Sequence, residues 1–148
     1  MGKYKNDHVN ENLAHLKQKK LFLFDIDGTI ALSEDVLDGT MDLLAYIKKI
    51  GGRAIYITNN SSKSTADYVK KFEKMGIEAE DDDFVTAGSY TLFYLLEHHV
   101  TDKIFVMATD SYYNELKKND LCVTTDCDDS VDIVLTAFDT ELTYEKVE

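Results

Sequence analysis

An apolar run near the start of this chain closes on two carboxylates one residue apart. Residues 21–30 read LFLFDIDGTI, so Asp25 and Asp27 are followed directly by Gly28 and Thr29. Strand side chains alternate between faces, so extended backbone would project both carboxylates from one side of a strand exit. Held that close, two carboxylates repel, and one keeps its proton more tightly unless a cation intervenes. Such a pair can bind a divalent metal through oxygen and divide the work of nucleophile and general acid. Gly28 and Thr29 begin a turn whose backbone N–H groups could face an anion.

Other readings fit the local text. Asp-Gly can close a hairpin, leaving Asp25 as an exposed strand end. A DxD metal site of the glycosyltransferase kind has the same spacing. A calcium loop does not fit: counted from Asp25, its glycine and twelfth-position Glu fall on Ile30 and Val36.

The elements around the pair narrow the choice. Residues 33–40 are polar and read as a loop; residues 41–50, MDLLAYIKKI, put Met41, Leu44 and Ile47 on one helical face. Gly51 and Gly52 stop that helix, and RAIYITNN (53–60) reads as a second buried strand ending in a polar cluster. A strand–helix–strand run of this kind is a right-handed unit of a parallel sheet, so both strand exits share one edge. Ligands bind beyond the carboxyl ends of such strands. Asp25, Asp27 and the Thr58-Asn59-Asn60-Ser61-Ser62 cluster are therefore expected to meet there.

Further on, Ser64 and Asp67 form a capping box for a helix whose apolar face holds Tyr68, Val69, Phe72 and Met75. The acidic run from Glu78 to Asp83 reads as a solvated linker. A third strand is expected over 84–88 and a helix over 89–99. A second alternation follows, with strand 103–108, helix 111–118 and strands near 121–125 and 131–138. A last helix is expected to begin at Leu142.

Composition limits the function classes. The chain has 148 residues, 28 acidic and 16 basic, for a formal charge of −12. Nucleic-acid backbones need a basic stripe, so no nucleic-acid partner is expected. A phosphate ester would have to be captured by local devices, because the overall field opposes it. Cys122 and Cys127 complete no zinc pattern and read as reduced thiols of a cytoplasmic protein. No stretch approaches the roughly 18 apolar residues of a membrane span. The opening 20 residues lack an apolar secretory core and read as a polar arm or short helix with Leu13 and Leu16 as docking points.

Taken together, FDIDGT after one strand and YITNNSSKS after the next resemble the haloacid dehalogenase phosphatase superfamily, and within it the NagD-type, 4-nitrophenylphosphatase-like branch. VTAGSYTLFYLL (85–96) looks like that branch's third core strand and helix, and FDTELTYEKV (138–147) like a segment of its cap. The resemblance implies an α/β fold: a Rossmann-like parallel sheet core over 21–100, then the beginning of an inserted α/β cap domain over 101–148, after the arm at 1–20. It implies that Asp25 is the nucleophile and Asp27 the general acid and base. It also implies that Mg²⁺ is held by the Asp25 side chain and the Asp27 carbonyl, and that Gly28, Thr58, Asn59 and Asn60 surround the phosphate. The implied reaction is hydrolysis of a small phosphorylated metabolite; phosphotransfer of the mutase kind and a non-catalytic phosphate- or metal-binding module are the alternatives.

The same family needs a later lysine and a Gly-Asp loop, and this sequence has no Gly-Asp dipeptide. Lys63 lies in the second motif and does not substitute for that lysine. The sequence is thus expected to be the N-terminal portion of a longer enzyme, nearly inactive alone. It is also expected to cover its bare apolar surface by forming a homodimer.

Overall fold

The structure, a computed structural model, describes residues 18–147; Leu13, Leu16 and nearly all of the expected N-terminal arm lie outside them. Strands β1 (Leu21–Asp25), β4 (Arg53–Thr58) and β5 (Phe84–Thr86) form one parallel sheet in the order β1-β4-β5. Helices α1 (Thr40–Lys49) and α2 (Thr65–Lys74) return the chain between them. Phe22 and Phe24 alternate with exposed Leu21 and Leu23, so β1 turns its aromatic face inward. There Tyr56, Phe72 and Phe84 meet with ring centroids 4.5–5.4 Å apart. Edge-on and tilted contacts at these separations add to the stabilisation from burial.

The other face of this sheet is bare among the described residues, with Leu21 58% and Leu23 60% exposed beside Ile57 and Val85. A second parallel sheet has the order β7-β6-β8, built from β6 (Lys103–Met107), β7 (Cys122–Thr124) and β8 (Ile133–Thr136) with helix α4 (Asp110–Lys118). Its core is Ile104, Val106, Ala108, Tyr112, Leu116 and Leu121, joined by Leu95 and Leu92 of α3 (Ala87–His98). Leu92 and Leu95 of α3 thus pack with the second core.

Three expectations change. The loop expected over 33–40 holds part of a tight hairpin, β2 (Ala31–Leu32) against β3 (Asp35–Val36), turning at Ser33 with φ 57°. The acidic run contains a 3₁₀ turn at Asp81–Asp83, where Arg53 grips Asp83 at 3.0 Å and the Asp82 carbonyl at 2.7 Å. The helix expected from Leu142 is absent among the described residues. Instead the Lys146 ammonium reaches the Ala108 carbonyl at 2.9 Å and Asp139 at 2.8 Å. Those bonds hold the segment in turns, and a helical nucleus this short is unfavourable without packing of its own.

The two sheets are joined by hydrogen bonds from α4. The buried Thr109 hydroxyl donates to the Ser62 carbonyl at 2.7 Å, and the buried Tyr112 phenol donates to the Gly88 carbonyl at 2.9 Å. A Cβ at Gly88 would stand 2.8 Å from the Tyr112 ring, so only glycine allows this contact. Ser111 hydrogen-bonds Asp67, and Glu115 Oε1 accepts from the Thr65 N–H at 3.2 Å. Glu115 Oε2 is buried with no partner among the described residues.

Burial pushes the Glu115 carboxyl above its ordinary value; the Thr65 bonds oppose this and the charges of Asp67 and Asp81 add to it. A carboxyl raised on folding stabilises fully below its unfolded value and loses that contribution as pH rises through its folded value. Glu115→Gln keeps the acceptor and removes the charge. It should therefore melt above the parent at about pH 7, with the gain shrinking as pH falls through the raised folded value and gone below the ordinary Glu value of about 4.3. Circular-dichroism melts across that range check this, and an equal difference at every pH would contradict it.

Candidate active site

β1 stops at Asp25 because the next residues turn back on themselves. Ile26 is fully buried, and its carbonyl accepts from the N–H groups of Thr29, Ile30 and Ala31 at 3.0–3.3 Å. Gly28 takes φ 86°, a conformation that favours glycine, and its N–H donates to the Ala31 carbonyl at 2.8 Å. The amides of Gly28 and Thr29, expected to face an anion, are thus used to close the turn. Gly28 shapes the loop rather than presenting a free donor. Asp27 lies beyond the strand, so simple alternation does not set its direction; it and Asp25 are both exposed.

β4 ends in a loop held by its own side chains. The Thr58 hydroxyl accepts from the Asn60 N–H at 3.2 Å. Asn60 Oδ1 in turn accepts from the Ser62 N–H at 2.8 Å and the Ser62 hydroxyl at 2.7 Å. Asn60 therefore uses its side-chain oxygen to fix the loop, while Asn59 is exposed. The loop then enters α2 through a capping box in which Ser64 and Asp67 bond each other's backbone N–H groups.

Register joins the two exits. β1 and β4 are parallel neighbours with Asp25 opposite Ile57, so Thr58 lies one residue past Asp25 at the same end. Adjacent strands are separated by about 4.8 Å. Asp25 shares a strand face with Leu21 and Leu23, whereas buried Thr58 shares one with Tyr56. A ligand touching both must sit over the strand tips.

Helix α2 brings two side chains that sequence reasoning missed as site residues. Tyr68, 1% exposed, sets its phenol beside Thr58. Burial pushes that phenol up, the Thr58 hydrogen bond opposes the shift, and the Asp27 charge adds to it. Lys71, one turn on, pairs with Asp27 at 3.6 Å. The spacing of Tyr68 and Lys71 behind TNNSS was the available signal, since residues three apart share a helix face.

Asp25 offers a carboxylate, and the turn's N–H groups bond to the Ile26 and Ala31 carbonyls, leaving the Asp27 carbonyl outside them. Oxygen donors of this kind suit Mg²⁺, which takes few protein ligands and completes its shell with water and phosphate. Among the described residues no group of three or more His, Cys, Asp or Glu is placed to hold a metal. His98 and His99 lie elsewhere, at the end of α3, where His99 pairs with Asp102 at 2.8 Å.

The profile of the haloacid dehalogenase-like hydrolases matches residues 22–122. The chain belongs to that family. This hydrolase-family chain is 30% identical over 132 residues to an acid sugar phosphatase of Staphylococcus aureus, covering 89% of its own length and 50% of the relative's. A solved 4-nitrophenylphosphatase from Thermotoga maritima superposes with a TM-score of 0.79 at 32% identity, over 89% of this chain and 49% of that one. A solved structure carrying the nagD name matches with the same TM-score and identity, over 88% and 50%. The chain spans about half the length of these relatives. No helix among the described residues is long and apolar enough to cross a membrane.

If Asn60 fixes the second loop, Asn60→Ala should cost about 1–2 kcal/mol of stability through its two lost bonds. Asn60→Asp, which keeps the acceptor, should cost less. Urea unfolding checks both, and equal stability of Asn60→Ala and the parent would contradict the role.

Proposed function

We propose that this chain belongs to a phosphomonoester hydrolase that works through an aspartyl-phosphate on Asp25. The observation that carries the reading is the pairing of β1 with β4, which brings Asp25 and Thr58 to one end of adjacent strands. The Asp25 carboxylate attacks phosphorus, forming an O–P bond as the ester P–O bond breaks. Asp27 gives its proton to the departing oxygen and then takes one from the water that attacks the phosphoenzyme. Inorganic phosphate leaves, and Asp25 and Asp27 return to their starting forms. Positioned proton transfer of this sort contributes about 10²–10⁴-fold.

Thr58 donates its hydroxyl to a phosphoryl oxygen, with Asn59 and Asn60 supplying amide donors around it. The Asp25 carboxylate and the Asp27 carbonyl would hold Mg²⁺, which offsets phosphoryl charge. The substrate is a small phosphorylated metabolite, in keeping with the sugar phosphatase and nitrophenylphosphatase relatives. The second sheet serves as part of a cap over the strand tips, and the protein is cytoplasmic. The exposed row of Leu21, Leu23, Ile57 and Val85 is covered in a homodimer.

The described residues place Asp25 and Asp27 at this site and no counterpart of the later lysine of the family pattern. Loss of one such preorganised group commonly costs about 10²–10³ in rate. Incubation with Mg²⁺ and ³²P-labelled phosphomonoester should leave a hydroxylamine-labile label on Asp25 that Asp25→Asn abolishes. Steady-state turnover should lie at least about 10²-fold below the usual median near 10 s⁻¹. Label that persists in Asp25→Asn would overturn the mechanism. Turnover at ordinary rates that Asp25→Asn abolishes would overturn the low-activity expectation.

A further inference from the structure

We propose that Lys71 is a positioning residue that orients the Asp27 carboxyl for proton transfer, an inference resting on the phosphatase reading above. The Lys71 side chain is 11% exposed, and an ammonium withdrawn from water is costly unless partnered. Among the described residues, Asp27 is the carboxylate within ion-pair distance of it, 3.6 Å from Nζ to Oδ1. That separation is too long for a hydrogen bond and fits an ion pair with ionised Asp27, the form it takes once its proton has passed to the departing oxygen. Asp27 is itself 55% exposed, so the contact leaves the rest of the carboxyl open to the site.

The surrounding structure makes orientation the freedom that Lys71 controls. The backbone from Ile26 to Ala31 is already fixed by the bonds to the Ile26 carbonyl and by Gly28 donating to Ala31. Asp27 keeps its side-chain torsions, and no hydrogen bond from another side chain restrains them among the described residues. Lys71 comes from α2, whose start is tied to the Thr58 loop through the Ser64–Asp67 box and to α4 through Ser111 and Thr65. Tyr68, on the same helix face one turn earlier, stands against Thr58. Helix α2 thereby carries side chains that face both Asp27 and Thr58. General acids act only from within hydrogen-bond reach of the oxygen they protonate.

The test has two arms. Three-bond Hα–Hβ couplings of Asp27 should report one staggered rotamer in the parent, averaged rotamers in Lys71→Met and restoration in Lys71→Arg. Lys71→Gln serves as the second uncharged variant if Lys71→Met fails to fold by its amide spectrum. In the kinetic arm, kcat/KM is compared for an alkyl phosphate, whose leaving group needs a proton, and for 4-nitrophenyl phosphate, whose leaving group does not. The ratio should fall about 10-fold in Lys71→Met, a part of the 10²–10⁴ that acid–base help supplies, and recover in Lys71→Arg.

Unchanged Asp27 couplings in both uncharged variants would overturn the proposal, as would equal losses on both substrates. Turnover that Asp25→Asn leaves intact marks failure of the phosphatase reading instead. The catalytic role of Lys71 then falls with it, while the couplings still report whether Lys71 holds Asp27.

Discussion

Parallel pairing of β1 with β4 is the constraint on which the rest of this molecule depends. With Asp25 opposite Ile57, both strands leave the sheet at one edge, and each exit is followed at once by a self-bonded loop. A slip of one residue in β1 would carry Phe22 and Phe24 to the bare face and take Phe24 away from the Tyr56 ring. The position of the carboxylates and the packing of the core are therefore one specification. Tyr56 shows this directly: its ring packs on Phe72 and Phe84 while its strand continues two residues to Thr58.

The second sheet is fastened to the first at points that border the same edge. Thr109 donates to Ser62, in the loop that follows Thr58, and the Phe138 N–H donates to Ser61 at 2.9 Å. Tyr112 fits against Gly88 at the start of α3, whose Leu92 and Leu95 complete the second core. Relative placement of the two layers is thus set by polar groups of α4 meeting the loop and helix start beyond β4. The bare face of Leu21, Leu23, Ile57 and Val85 lies away from this seam, on the side of the first sheet opposite α2.

Much of this was legible in the sequence, because it rests on local pattern. The Ser64–Asp67 box, the apolar face of α2 and the alternation of apolar strands with amphipathic helices each have a period or a cap that names them. FDIDGT and TNNSS carried the family through residue types at fixed offsets. What escaped reading depended on contacts distant in sequence or on competition among hydrogen bonds. The amides of Gly28 and Thr29 looked free until the Ala31 and Ile26 carbonyls took them. Lys71 drew no reading at all, since its own helix does not show that its head reaches Asp27 across the fold. The segment after Leu142 has helical composition, yet Lys146 finds Ala108 and Asp139 instead.

The central claim, that two strand tips share one tetrahedral ligand, is tested most directly by titrating Mg²⁺ with beryllofluoride into isotope-labelled protein. A shared site gives saturable amide shifts in residues 25–28 and 58–61 along a single binding curve, lost in Asp25→Asn. Shifts confined to one loop, or two loops responding with different midpoints, would contradict it.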